Sequence, residues 1–282
     1  MPRPVSQEES KTIQLSILQH FHDFCKRHQL RYYLAYGTLL GAVRHKGYIP
    51  WDDDIDLMMP RPDYLKFIDL FAQSDQRHYK AQSIQNNPDY FGTFGKIYDT
   101  RTIMYQEYGL VEKVEIGVYV DIFPMDGLPE DEDDHKALYK RTSSWAEAYL
   151  LSIRKFSAKS SNPLKWLIKT LCSIPCRLIG SHFFISKLEE IAMERRYDES
   201  TKVACVSSDR DIERWVNREH LEQSVLLEFE GGHFPAPSDY EGFLTRLYGD
   251  YMTVPPEDQR QQHYYSVFWK EDSEPAQLAE TS

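Results

Sequence analysis

The chain has 282 residues, 41% of them hydrophobic and 27% charged, and a formal net charge of −11; a chain of this length can bury the core of one large domain or two modest ones. The acidic balance works against broad attraction to nucleic-acid phosphates, and no stretch approaches the roughly 18 uninterrupted apolar residues of a spanning helix, so a soluble globular protein with no nucleic-acid partner is expected. Cys25, Cys172, Cys176 and Cys205 are too few and too scattered for a disulfide framework, and the opening MPRPVSQEESKTIQ lacks the basic region and apolar run of an export signal, so the expected location is cytoplasmic.

Ser6 and Glu9 form an S-x-x-E capping box, and Ile13, Ile17, Leu18, Phe21, Phe24 and Cys25 recur at helical spacing, which predicts a helix over about 7–28. The apolar run Tyr32 to Tyr36 reads as a strand, broken by Gly37-Thr38 and followed by a short helix carrying Leu39, Leu40, Ala42 and Val43. A strand passing through Gly-Thr into a helix N-terminus presents backbone N–H groups to an anion. After Pro50, Asp54-Ile55-Asp56-Leu57-Met58 alternates acid with apolar as a half-buried strand does. Tyr64, Phe67, Ile68 and Phe71 return to helical period, and 79–84, 93–98, 102–105 and 117–123 read as further strands, giving an α+β first half with a mixed sheet. Asp131 to Asp134 stand at the head of a long polar helix, where acids favour the positive end of the dipole.

Residues 162–187 differ in character. Leu164, Trp166, Leu167, Ile168, Leu171, Ile174 and Leu178 alternate with Lys165, Lys169, Arg177 and Lys187, without an acid, and Pro163 and Pro175 are expected to divide the stretch into pieces too short to span a bilayer. Basic, Trp-bearing amphipathic helices lie in membrane interfaces, and core helices with snorkelling lysines look similar. Near the C-terminus Ser238 and Glu241 read as a second capping box and Gly249 as a helix stop, and 271–282 is expected to be a disordered tail.

Asp52, Asp53, Asp54 and Asp56 place four carboxylates within five positions, where two charges ~4 Å apart repel by roughly 4 kcal/mol at a surface-like dielectric. Something cationic is needed to join them. On a strand Asp54 and Asp56 share a face, and magnesium or manganese takes such oxygen ligands together with substrate phosphate. An EF-hand is excluded because Leu57 stands where its loop needs Gly and Asp63 where it needs Glu. Phosphoryl transfer also needs a phosphate cradle and a base: Gly37-Thr38 supply the first, Arg44, His45 and Lys46 add positive charge, and Asp121, inside the apolar run Val118 to Phe123, is a further acid that burial makes costly unless it is paired. A solvated acidic turn, a solvated basic turn and a hydrogen-bonded strand aspartate are the plain alternatives.

The stretch from Tyr36 to Asp56, with Tyr119-Val120-Asp121-Ile122-Phe123-Pro124 and Tyr248-Gly249-Asp250-Tyr251-Met252-Thr253-Val254-Pro255-Pro256, resembles the LicD family of the nucleotidyltransferase superfamily, which includes bacterial phosphocholine transferases and, more distantly, fukutin-related proteins that transfer ribitol phosphate. The zinc-binding insert of the latter has no counterpart in these cysteines, which favours the bacterial branch. The resemblance implies an α+β fold: a nucleotidyltransferase-like mixed β-sheet flanked by helices in a catalytic core at 1–130, a helical, membrane-proximal insertion at 131–200, and a mainly helical C-terminal half whose 201–270 part completes the core and the substrate site. It implies a CDP-choline or related CDP-alcohol donor, release of CMP, and a glycan acceptor such as teichoic acid or lipooligosaccharide, often lipid-linked at the inner membrane face, to which 162–187 would belong. Carried over by motif, Gly37 and Thr38 take the place of the Gly-Ser turn, Asp54 and Asp56 that of the paired metal carboxylates, and Asp121 that of the third acid. Lys96 and Arg101 are candidates for phosphate, Asp52, Asp53 and His263 for substrate, and Tyr48, Trp51 and Phe94 for an aromatic cage around choline. The rival readings are a metal-dependent glycosyltransferase using a nucleotide sugar and a non-catalytic nucleotide-binding module.

Overall fold

The computed structural model describes residues 3–106, 115–154, 163–209, 211, 214–260 and 265–271. The chain opens with α1 (Gln7–His28), in which Ser6 accepts from the Glu9 N–H while the Glu9 carboxylate accepts from the Ser6 N–H, so the capping box forms as the sequence predicts. Then come β1 (Tyr33–Leu34), α2 (Tyr36–His45), β2 (Asp56–Pro60), α3 (Arg61–Gln73), β3 (Tyr79–Gln82), β4 (Gly95–Asp99), β5 (Thr102–Gln106) and β6 (Tyr119–Gly127). Three helices follow, α4 (Glu132–Ile153), α5 (Pro163–Ile179) and α6 (Ser181–Ala192), and then β7 (Lys202–Ala204), β8 (Trp215–Asn217), α7 (Arg218–Glu222), β9 (Val225–Phe229), β10 (Gly232–Ala236), α8 (Tyr240–Tyr248) and β11 (Tyr265–Trp269).

The main sheet runs β1-β2-β6-β4-β3, with β7 joined to the far half of β6 and β8 to β7. Only β2 and β6 pair in parallel among the described strands, so the sheet is mixed. Strand alternation sends Leu57, Ile97, Val120 and Ile122 into a core shared with Ile17, Phe21 and Phe24 of α1 and Phe67 and Phe71 of α3. The residues between them, Asp56, Lys96 and Asp121, therefore fall on the opposite face. No helix among the described residues is long and apolar enough to cross a membrane, and all four cysteines are free, Cys25 and Cys205 in the interior.

Several elements differ from expectation for identifiable reasons. The β1 strand is only two residues long because the chain turns into α2 already at Tyr36. Asp54 precedes β2 rather than lying in it. Pro163 opens α5, where no N–H is required, and Pro175 lies inside the helix without dividing it. Asp239, not Ser238, caps α8: its carboxylate accepts from the Gly242 N–H at 3.1 Å. Helix dominates 132–192, whereas 201–270 mixes β7 to β11 with α7 and α8. The expected tail at 271–282 lies, but for Glu271, outside the described residues.

The helical stretch is fastened to the sheet by a buried ionic cluster. Arg61, at the start of α3, donates from Nε and Nη2 to the two oxygens of Asp126 on β6, at 2.7 Å each, and from Nη1 to Glu189 of α6 at 2.6 Å. All three residues are at least 95% buried, with exposures of 5%, 1% and 5%.

Candidate active site

Two hydrogen bonds bring the helix start and the acidic strand together. The Ala35 N–H donates to the Asp56 carbonyl at 3.0 Å, and the Asp56 N–H donates to Thr38 Oγ1 at 2.8 Å. Thr38 is thus committed to holding the backbone, buried at 3% exposure, and does not line the cavity described below. Tyr36 begins α2 with φ of +40°, a left-handed conformation unfavourable for a residue with a side chain. Its hydroxyl donates to Asp209 at 2.8 Å and its ring packs 5.1 Å from Phe123, contacts that hold the strained turn in place. No side chain caps the N-terminus of α2, which leaves its first turn able to meet an anion.

Register then determines the charge pattern. Asp56 on β2 is the partner of Asp121 on β6, and Asp121 is the partner of Lys96 on β4, so one row crossing three strands reads acid, acid, lysine. Lys96 and Asp121 form a buried ion pair, and the ammonium lies 3.4 Å from the Tyr119 ring centre. The Asp121 N–H also donates to the Ile55 carbonyl at 2.9 Å, drawing the acidic loop toward β6. From the other side α1 supports that loop, with Gln14 Nε2 donating to the Asp53 carbonyl at 2.8 Å and the Tyr48 hydroxyl to Gln14 Oε1 at 2.9 Å. Gly37 lets the Asp52 carboxylate approach the turn closely, since a Cβ there would stand 2.6 Å from Asp52 Oδ2 and push that side chain aside.

The carboxylates repel one another. Burial, followed by the charge of Asp54, pushes Asp52 up to about 7. Asp56 is pushed well above the usual carboxylate range, by burial first and then by Asp54, Asp121 and Asp52, with Lys96 opposing. One lysine therefore does not neutralise the cluster. Asp52, Asp53 and Asp54 each offer an oxygen within 4.8 Å of the others, an all-oxygen donor set of the kind a hard divalent cation takes. This trio differs from the expected Asp54, Asp56 and Asp121, of which Asp56 and Asp121 are partners across the β2/β6 register while Asp54 belongs to the trio.

Two cavities meet at Asp54, Thr93, Phe94 and Ser208. The larger, about 890 Å³, is lined by Gly37, Arg44, Trp51, Asp52 and Asp56, and by Asp209, Arg214 and Tyr248 from distant parts of the chain. The smaller, about 380 Å³, is walled by Tyr90, Phe91, Tyr119 and Tyr149 beside Lys96 and Asp121. Asp209 is raised by burial to about 6, although the Tyr36 hydroxyl and Arg214, 3.4 Å away, both favour its charged form.

The expected residues divide accordingly. Gly37, Arg44, Trp51, Asp52, Asp54, Asp56, Phe94, Lys96 and Asp121 line one cavity or both. His45 does not: burial and neighbouring Arg44 hold its pKa below the ordinary value, and its ring accepts from Arg44 Nε at 2.9 Å. Tyr48 packs against Phe229, 5.1 Å between rings, outside both cavities. One candidate cage face, Trp51, is taken by the Arg260 guanidinium at 4.4 Å. Arg101 is occupied by Asp99, at 3.0 Å from Nε, and so serves the sheet rather than the site. Asp53 lines neither cavity although its carboxylate belongs to the acidic trio. His263 lies outside the described residues. Sequence reading missed Asp209, Arg214 and Tyr149, which carry no local motif, while Tyr248 and its neighbours stood in a motif already noted but without a role.

A family model described as "LicD/FKTN/FKRP, nucleotidyltransferase domain" matches residues 29–162. The chain is 32% identical over 270 residues to the lipopolysaccharide cholinephosphotransferase LicD of Haemophilus influenzae, an alignment covering 91% of this chain and 95% of that protein. It is also 35% identical over 75 residues to an uncharacterized protein of Rickettsia typhi, covering 26% of this chain and 24% of the relative.

Proposed function

Because this chain is an enzyme of the LicD family, we propose that it transfers phosphocholine, or a similar alcohol phosphate, from a CDP-linked donor to a sugar hydroxyl of a cell-surface glycan precursor, with CMP as leaving group. The observation that carries the reading is the row of Asp56, Asp121 and Lys96 lying beside Asp54 at the junction of two cavities. The name of the Haemophilus relative supports choline and a glycan acceptor.

Asp54, Asp56 and Asp121 would hold magnesium or manganese: all three are carboxylates in a cluster short of positive charge, and at Asp54 the oxygens of Asp52 and Asp53 also come within 4.8 Å. Bound there, the ion supplies charge neutralisation and polarisation of the diphosphate. The first turn of α2 at Gly37, with Arg44 and Arg214, takes the nucleotide side in the larger cavity. The smaller cavity takes the alcohol, since rings of Tyr90, Phe91, Phe94 and Tyr149 with two carboxylates nearby suit a quaternary ammonium, the Tyr119 ring being taken by Lys96. Asp121, held in place by Lys96, either binds that ion or takes the proton of the attacking hydroxyl.

The test is CMP release from CDP-choline, CDP-ribitol and CDP-glycerol, each with Mg²⁺ and a glycan acceptor, beside UDP-sugars under the same conditions. Metal-dependent release from a CDP-alcohol supports the proposal. Turnover of a UDP-sugar alone would indicate the glycosyltransferase reading, and binding without product the non-catalytic module. Within the same assay Phe91→Leu is expected to raise the KM for CDP-choline by roughly 5- to 30-fold, the loss of one desolvated cation–π contact, while shifting that for CDP-glycerol far less. Equal shifts for both donors would remove choline from the smaller cavity.

A further inference from the structure

Helix α5 sits inside out. Its residues Trp166, Thr170, Ser173 and Cys176 are withdrawn from solvent, Ser173 fully, whereas Leu167, Ile168, Leu171, Ile174, Leu178 and Ile179 form a stripe at helical spacing that faces outward. Leu171 is 57% exposed and Leu178 84%. An apolar stripe of this extent is unusual on a soluble protein and marks a surface that is covered in use.

The charge of the sequence stretch that carries it narrows the occupant. From Arg154 to Leu188 there are seven Lys or Arg residues and no acid, in a chain whose net charge is −11. Such segregation of positive charge gives nothing to a second copy of the same surface, which would bring like charge against like, but it complements an anionic one. At 17 residues the helix is about 25 Å long, suited to lying in an interface with its apolar stripe downward.

We infer that the outward face of α5 docks on an anionic lipid bilayer. Leucine and isoleucine side chains enter the acyl boundary while lysines beside them, Lys169 among them, meet lipid phosphates. Helix α4, which packs against α5, also supplies Ala146, Tyr149 and Leu150 to the wall of the smaller cavity, so docking holds that cavity close to the lipid surface. The inference stands apart from the donor chemistry and survives if that reading fails.

Co-sedimentation of the full chain with vesicles provides the test. Binding to phosphatidylglycerol–phosphatidylcholine vesicles is expected to exceed binding to phosphatidylcholine alone by roughly tenfold or more, and to weaken as salt is raised. Leu171→Glu with Leu178→Glu, in protein whose circular dichroism and melting match the parent, is expected to reduce binding by a similar factor, about tenfold. No binding of the unaltered chain to anionic vesicles would overturn the inference, as would equal binding to both compositions. Sedimentation without lipid is expected to show the same mass for parent and variant; a dimer that these substitutions dissociate would overturn it in favour of a second copy.

Discussion

Asp56→Asn is expected to lower turnover by about 10³-fold or more, with the fold intact, because the site loses a charge aimed at the reacting diphosphate in a water-poor setting. The stability readout should move the other way. Asp56 has its proton affinity raised in the folded state, as has Asp52 at about 7. An acid of this kind binds its proton more tightly folded than unfolded, so stability falls as pH rises from the usual carboxylate range through the raised value. Without divalent ions the native chain carries a penalty that grows as the pH is raised toward 8. The asparagine variant lacks the charge at position 56, so denaturant melts at pH 8 are expected to show it at least as stable as the parent. Adding Mg²⁺ should then stabilise the parent more than the variant, since an ion bound only to the folded state shifts the equilibrium by mass action. Near-normal turnover in Asp56→Asn would end the assignment of this acid, and lower stability at pH 8 would contradict the electrostatic account.

Arg61→Ala is expected to cost roughly 3–5 kcal/mol of stability, the usual consequence of removing one member of a buried ion cluster. The reason is asymmetry. Asp126 and Glu189 would remain enclosed without their guanidinium donor, and among the described residues Gln85, donating to Glu189 at 2.6 Å, would be left to meet one of the two carboxylates. Replacing Arg61, Asp126 and Glu189 together by apolar residues of similar volume should recover most of the loss. Urea unfolding of the two variants against the parent decides it: a loss under about 1 kcal/mol for Arg61→Ala would mean that the cluster is solvated or dispensable. Because Glu189 lies on α6 and Asp126 on β6, the variant should also loosen the α4–α6 region first, visible as faster amide exchange there.

Much was legible locally. The capping box and the 3.6 period of α1 were readable because helix hydrogen bonds join near neighbours in sequence, and the existence of β3 to β6, though not their partners, because their short apolar runs show in the residue pattern. The acidic run and the Gly-Thr turn announced chemistry because such residue types are costly together without a purpose. Where local signals competed, the reading slipped. Pro175 is tolerated inside α5, and Asp239 displaced Ser238 as a cap, since position relative to the chain's turn decides which side chain reaches the free N–H groups.

What the sequence determined by itself was the family-like motif, the mixed α+β character and the presence of acids needing a cation, all of which follow from residue identity and short-range pattern. Only the tertiary structure decided which of them meet: that Asp121 lies between Asp56 and Lys96, that Thr38 is spent on the backbone, that Tyr48 and Arg101 point their chemistry elsewhere, and that Asp209 and Arg214 arrive from the far end of the chain. The physical reason is strand register. A shift of one residue reverses the face every side chain occupies, and register is set by packing of the whole sheet against α1 and α3, which no local stretch encodes.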